Sequence, residues 1–335
     1  MRQGLQTATD EATIAVFGTG SIGMQHLRAL SRVQALRGVA VPVRAERAEA
    51  LAAKGVRTAP DVDAAVRQGA MFAIIATETH RHMEDARAAL EREMDVLVEK
   101  PLASDAAAAR QLSQQADDLR RNLFVGCVLR FSESLNIARA LLERVGRLHA
   151  VRIECQSYLP RWRPQRPYRQ SYSARADEGG VLRDLIHEID YAGWLFGWPQ
   201  AVQARVRNLG RLGIAAEEIA ELSWETRGCL ISIALDYLTQ PPRRRLRASG
   251  ARGTLEWDGI AQTVTVCEGE ATQTLNSLQS RDEMFAAQAE AFVRACRGHV
   301  DERLATAQDG LKALAVCEAA RQAANARREE AVDYS

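Results

Sequence analysis

Two short segments of this 335-residue chain hold side chains suited to moving a proton and steadying charge on oxygen. One is Glu99-Lys100-Pro101, at the end of the apolar run Asp95–Glu99. An ammonium just past a buried strand can polarise a hydroxyl or carbonyl and stabilise developing alkoxide charge, and proline fixes the chain behind it. The other is Gly179–Asp190, GGVLRDLIHEID. On one helix, Asp184, His187 and Asp190 follow at intervals of three and share a face. An imidazole beside a carboxylate can take the proton from a carbinol as the carbon is oxidised. Lys100 and His187 are therefore the expected catalytic pair, with Asp184 or Asp190 orienting the ring.

Oxidation of a carbinol needs an electron acceptor, and Ile14–Met24 (IAVFGTGSIGM) offers a place for one. An apolar strand meets Gly18, Gly20 and Gly23 in GxGxxG spacing, and a helix follows. The first glycine permits the turn, the second lets backbone approach a pyrophosphate, and the third lets helix lie against strand. The helix start, with Ser21 and Ile22, offers free N–H groups to the phosphates. About 20 residues on, NAD-selective sites place an acid on the ribose. This chain has Val43 and Arg44 there, and Arg44 suits a 2′-phosphate, so NADP is expected ahead of NAD.

These segments must be held by a frame, and the first third of the chain alternates strand and helix. Apolar runs are expected as strands at Val39–Val43, Met71–Thr77, Asp95–Glu99 and Leu123–Leu129, with helices between them. That pattern implies a parallel sheet with crossovers, ending near residue 130. From Leu148 onward, short alternating segments joined by turns imply a mainly antiparallel sheet with one open face. A single helix over Gly180–Leu195 interrupts them, and two helices close the chain. The expected division is 11–130 and 131–330, with the C-terminal helices able to return to the first part.

Bulk properties narrow the function. Apolar residues make up 47% and charged residues 26%, with a net charge of +1. Such a balance supplies no field for nucleic acid or an anionic membrane. No stretch approaches the roughly 20 apolar residues of a spanning helix, and the polar start MRQGLQTATDEAT lacks the apolar centre of a signal peptide. A cytoplasmic protein is expected. The six cysteines are scattered without CxxC pairs, which fits reduced thiols and no metal site. One segment stands out from this neutral background. Tyr158–Tyr172 carries Arg161, Arg163, Arg166 and Arg169 among aromatics. Guanidinium forks suit carboxylate or phosphate and aromatic faces suit sugar rings. Arg243–Arg245, by contrast, is expected on an exposed strand edge, where charge discourages aggregation.

Taken together, the motifs resemble the glucose-fructose oxidoreductase / inositol dehydrogenase / rhizopine-catabolism family, Gfo/Idh/MocA. Gly18–Gly23 resembles its cofactor loop, Thr77–His82 its TPNxxH segment, and Glu99-Lys100-Pro101 its EKP motif. Gly180–Asp190 resembles its (D)xxxHxxD helix and Gly253–Glu256 its GTIE strand. The resemblance implies an α/β architecture. An N-terminal Rossmann domain, doubly wound on a parallel sheet, precedes an α+β domain whose open, mainly antiparallel sheet joins copies into a dimer or tetramer. It also implies a metal-free NAD(P)-dependent enzyme acting on a small sugar-type molecule. The family's EKP lysine maps to Lys100, its histidine to His187 and the following acid to Asp190. One departure is Arg183, which stands where many members place an aspartate four before the histidine, so Asp184 is expected to substitute. Cofactor contacts are then expected from Gly18, Gly20, Ser21, Ile22, Gly23, Arg44, Thr77, His82, Glu99 and Lys100. Substrate contacts are expected from Lys100, Arg130, Tyr158, Arg163, Tyr168 and His187. The same residues would serve a redox-neutral lyase or glycosidase passing through a keto sugar. A non-catalytic NADP-binding regulator would have no use for Lys100 and His187.

Overall fold

The computed structural model describes residues 11–335; residues 1–10, most of the polar N-terminal stretch, lie outside the described residues. Continuous apolar runs form β1 (Ala12–Phe17), β2 (Leu36–Val41), β3 (Ala70–Ile75), β4 (Asp95–Glu99) and β5 (Leu123–Gly126). They pair in parallel in the order β5-β4-β3-β1-β2. Between them run α1 (Ser21–Leu30), α2 (Ala45–Ala52), α3 (Val62–Arg67), α4 (His82–Leu90) and α5 (Ala106–Asp118). Helices on both faces explain why these strands lack an alternating pattern. The strand order reverses at β1, and ligands bind beyond the carboxyl ends of strands at such a point. Gly18 follows β1, Thr77 is the second residue after β3, and Lys100 follows β4.

A second sheet begins after α6 (Glu133–Leu141). Its strands are β6 (Leu148–Gln156), β7 (Ala201–Arg207), β8 (Ile219–Thr226), β9 (Cys229–Asp236), β10 (Arg243–Gly250), β11 (Gly253–Asp258), β12 (Thr263–Glu268) and β13 (Ala271–Asn276). The order is β13-β12-β11-β10-β6-β9-β8-β7, and only β6 and β9 run parallel. Here the edge assignment of Arg243–Arg245 fails: β10 pairs on one side with β11 and on the other with β6, so it is an interior strand.

The expected single helix over 180–195 is two pieces, α7 (Val181–Asp184) and α8 (Ile186–Phe196), parted at Leu185 (φ −100°, ψ 28°). After β13 the chain returns to the first sheet. A capping box of Ser280 and Glu283 starts α9 (Arg281–Cys296), which lies on α1. Then β14 (Ala305–Thr306) adds antiparallel to β5, and α10 (Ala307–Ala326) lies against α5, α8 and β7. The short β15 (Glu330–Ala331) closes the edge of β7. Among the described residues, no helix is long and apolar enough to cross a membrane.

Candidate active site

One cleft of about 1440 Å³ runs from the β1–α1 turn to the far side of α7 and α8. Its first end is shaped by glycine. Gly18 has φ +81°, and a Cβ there would sit 2.7 Å from Ala76 O; a Cβ on Gly23 would sit 1.9 Å from Gly18 O. Those two glycines are required by the turn itself. Gly20 is different, since a Cβ there would meet nothing within 4 Å of protein, and the residue lines the cleft. The start of α1 has no side-chain cap, and Ser21 and Ile22 line the same wall. Uncapped N–H groups beside an open glycine fit a dinucleotide pyrophosphate. Farther along this wall lie Val43, Arg44 and Glu46, with Arg47 donating to Thr19 O at 3.3 Å.

At the centre, buried contacts fix the turn that carries Lys100. Glu99 Oε1 lies 2.7 Å from His26 Nε2, and Glu99 Oε2 accepts from the Lys100 amide at 3.3 Å. His82 stands between two carbonyls, with Nδ1 2.9 Å from Pro101 O and Nε2 3.2 Å from Thr77 O. It thereby ties the Thr77 loop to the Lys100 loop. Thr77 Oγ1 in turn donates to Asp85 at 2.8 Å. Burial holds the His82 pKa below the usual histidine value.

Lys100 Nζ donates to Asp184 O at 2.6 Å, a link from the first sheet to α7. The break at Leu185 makes that possible: the Glu188 amide, four residues on from Asp184, donates to Leu185 O at 3.2 Å instead. The Asp184 carbonyl thus lacks its helical i+4 donor. The Asp184 carboxylate accepts from Tyr237 OH at 2.6 Å, and Tyr172 stands beside it, its phenol pushed upward by that charge and by burial. His187 lines the cleft one step farther on. Burial, then the charges of Lys100, Arg244 and Arg281, hold its pKa well below the ordinary histidine value, so the ring is neutral near pH 7.

Several expected contacts are not made. Asp190 does not orient His187. It is locked with Arg130, whose Nη2 and Nε reach it at 2.7 and 3.0 Å, and Arg130 Nη1 lies 3.3 Å from Asp309. Helical spacing put Asp190 and His187 on neighbouring positions, but a buried guanidinium on the core side captures the acid. Arg130 is accordingly buried and absent from the cleft lining. Nor does Asp184 bond the ring: His187 Nδ1 is buried without a hydrogen-bond partner among the described residues. Tyr158 packs against the core and lines no part of the cleft. Tyr168 donates to Leu212 O at 3.0 Å and faces an adjoining cavity of about 210 Å³. Of the four loop arginines, Arg163 and Arg166 line the cleft, whereas Arg169 turns away to Leu212 O at 3.0 Å.

Two aromatics of the Tyr158–Tyr172 segment, Trp162 and Tyr172, line the cleft, and so do three residues the sequence does not mark for it, Arg244, Arg281 and Phe285. Arg243 lines the cleft beside Arg244, while Arg245 turns to Asp258 at 3.2 Å.

Two sheets, the first ending in an open-glycine turn and sharing a cleft with a lysine and a neutral histidine, define a two-domain dinucleotide-binding oxidoreductase. The family model described as "Oxidoreductase family, NAD-binding Rossmann fold" matches residues 12–127, and "GFO/IDH/MocA C-terminal domain" matches residues 137–256. The chain belongs to the Gfo/Idh/MocA oxidoreductase family. It is 29% identical to the rhizopine catabolism protein MocA of Rhizobium meliloti, covering 92% of this chain and 93% of that one. The myo-inositol dehydrogenase Hyg17 of Streptomyces leeuwenhoekii is 28% identical, over 93% and 97% of the two chains. A solved levoglucosan dehydrogenase in complex with NADH shares the fold, with TM-score 0.86 at 18% identity over 96% and 99%.

Proposed function

We propose that this protein is a dehydrogenase or reductase acting on a carbinol or carbonyl carbon of a sugar or sugar derivative. The observation that carries the reading is the 2.6 Å contact between Lys100 Nζ and Asp184 O, at the end of α7, which brings the ammonium into the cleft that His187 of α8 also lines. The bound nicotinamide supplies the hydride chemistry. Lys100 Nζ hydrogen-bonds the reacting oxygen and holds negative charge on it. His187, neutral near pH 7, takes the carbinol proton in oxidation and returns it in reduction. Asp184, fixed by Tyr237, keeps the lysine and the α7–α8 break in register. Much of the rate would come from holding the substrate's reacting carbon close to the nicotinamide. Relatives named for myo-inositol and levoglucosan support a polyol or sugar-like substrate. Arg163 over Tyr172 at 5.8 Å supports an anionic one, such as a sugar acid or nucleotide-linked sugar.

For the cofactor, Arg44 at the mouth of the adenosine side supports NADP. The NADH named with one structural neighbour and the presence of Glu46 on the same wall set the alternative. The test is a fluorescence titration with NADPH and NADH, followed by nicotinamide absorbance against neutral and acidic sugars. Lys100→Ala is expected to lower kcat by about two orders of magnitude or more, with cofactor affinity within a few-fold. Loss of cofactor binding instead would remove Lys100 from the chemistry. Arg44→Ala should weaken NADPH about tenfold more than NADH; equal effects would assign NAD.

A further inference from the structure

Arg244 is an unusual cation for a cleft. Its Nε donates to Glu188 Oε1 at 2.8 Å and its Nη2 contacts Cys155 Sγ at 3.4 Å. Nη1 has no partner among the described residues. Glu188 itself is wholly buried, and its Oε2 is also unpartnered. Burying a carboxylate is costly, and a salt bridge seldom repays the cost through stability alone. What this acid does achieve is to hold one planar fork at a fixed angle, with 26% of the Arg244 side chain exposed. Arg281, at the start of α9, lies over Phe285 at 5.5 Å and has no acid within ion-pair distance among the described residues. Both guanidinium groups line the cleft with Lys100 and His187, and Glu188 is the next residue to His187.

We propose that Arg244 and Arg281 together bind an anionic group, carboxylate or phosphate, that the substrate carries close to its reacting carbinol, with Glu188 as the positioning residue for Arg244. The inference rests on the dehydrogenase reading and moves the main anion contact from the Arg163–Arg166 loop to the side of His187. The chemistry follows from the donors. A guanidinium presents paired N–H groups that match the oxygens of a carboxylate or phosphate. A fork already immobilised gives up little entropy on binding. Placed beside the reaction centre, the anion would fix which of several equivalent hydroxyls faces Lys100. A sugar has many carbinols, so orientation is the harder part of the selectivity.

The experiment is a titration of the protein–NADH complex, read by nicotinamide fluorescence, with D-glucose, D-gluconate and D-glucose 6-phosphate, followed by turnover of each with NAD and NADP. One anionic probe is expected to bind at least about tenfold more tightly than glucose; which of the two does so separates carboxylate from phosphate. Arg281→Gln, at an exposed position, should reduce that preference to a few-fold, and Arg244→Ala should abolish it. Glu188→Ala should behave like Arg244→Ala, whereas Glu188→Gln, which can still accept from Nε, should recover part of the preference. Equal binding of all three probes, or a preference that survives both arginine substitutions, overturns the proposal. If the preference appears but no probe is turned over, the anion site stands and the dehydrogenase reading falls. If all three probes are turned over without preference, the reverse holds.

Discussion

Helix α8 carries two arginine–carboxylate pairs on opposite sides, and their fates differ. Asp190 faces the core. Its partner Arg130 is 2% exposed and spends Nε and Nη2 on Asp190 and Nη1 on Asp309. Glu188, two residues earlier and so roughly 200° around the helix, is wholly buried beneath a cation that lines the cleft. Its partner Arg244 keeps one nitrogen uncommitted and a quarter of its side chain open. The first pair is closed, with each of the three guanidinium nitrogens engaged by an acid, and it joins α8 to α10 and to the segment after β5. The second is open. Ion pairs of the same composition thus serve as a clamp in one place and a receptor in the other, and the count of satisfied donors distinguishes them.

The sharpest way to break this contrast is to remove the closed cation. Arg130→Ala leaves Asp190 buried without a counter-charge, and a loss of roughly 3–5 kcal/mol in unfolding free energy is expected by urea denaturation. A loss below about 1 kcal/mol would show that the two pairs are alike. Next in size is the difference between removing each acid. Asp190→Ala leaves a buried guanidinium with Asp309 as its one remaining acid partner, whereas Glu188→Ala leaves a partly exposed Arg244 beside the cleft. Asp190→Ala should therefore cost about 1–3 kcal/mol more than Glu188→Ala by the same measurement. The smallest effect concerns pH. His187 is held well below the ordinary histidine value by burial, Lys100, Arg244 and Arg281. An imidazole with a lowered pKa stays unprotonated as pH falls through about 6.5. The acid limb of kcat/KM for oxidation should accordingly lie below that value. Removing one neighbouring cation raises the pKa, so Arg281→Gln should move the limb upward by about half a pH unit. A limb that stays in place would separate Arg281 from the ring. Linkage has the same sign: the unfolded chain binds this proton first, so His187 costs stability as pH drops through the ordinary range.

The first sheet is readable because its strands are buried on both faces and two of its turn glycines, Gly18 and Gly23, are forced by local contacts. The expected strand Asp95–Glu99 coincides with β4 to the residue. In the second sheet, β13 was missed because ATQTLN is exposed along nearly its whole length and presents no apolar stripe. The two-residue strands β14 and β15 lie below any periodic signal. At the site, Lys100 and His187 stood out by their place at a strand end and on a polar–apolar helix, and the structure brings both to the cleft. The acids did not sort themselves. Asp184 and Asp190 look equivalent by spacing, and only the partner 60 residues upstream, Arg130, decides which one is withdrawn. Arg244 was misplaced for a related reason. Three adjacent arginines look like an edge, and the order of strands in a sheet is set by pairings too distant to read from a local pattern.

The three glycines of the first turn differ in what enforces them. Positions 18 and 23 are held by the chain's own atoms, and position 20 by nothing the protein itself contains. Gly20 thus bears the imprint of something that comes and goes. In a lineage that kept this fold but abandoned the dinucleotide, positions 18 and 23 would stay glycine under the demands of folding, while position 20 would be free to drift. A larger side chain at that one position would mark the moment when selection for the cofactor ceased.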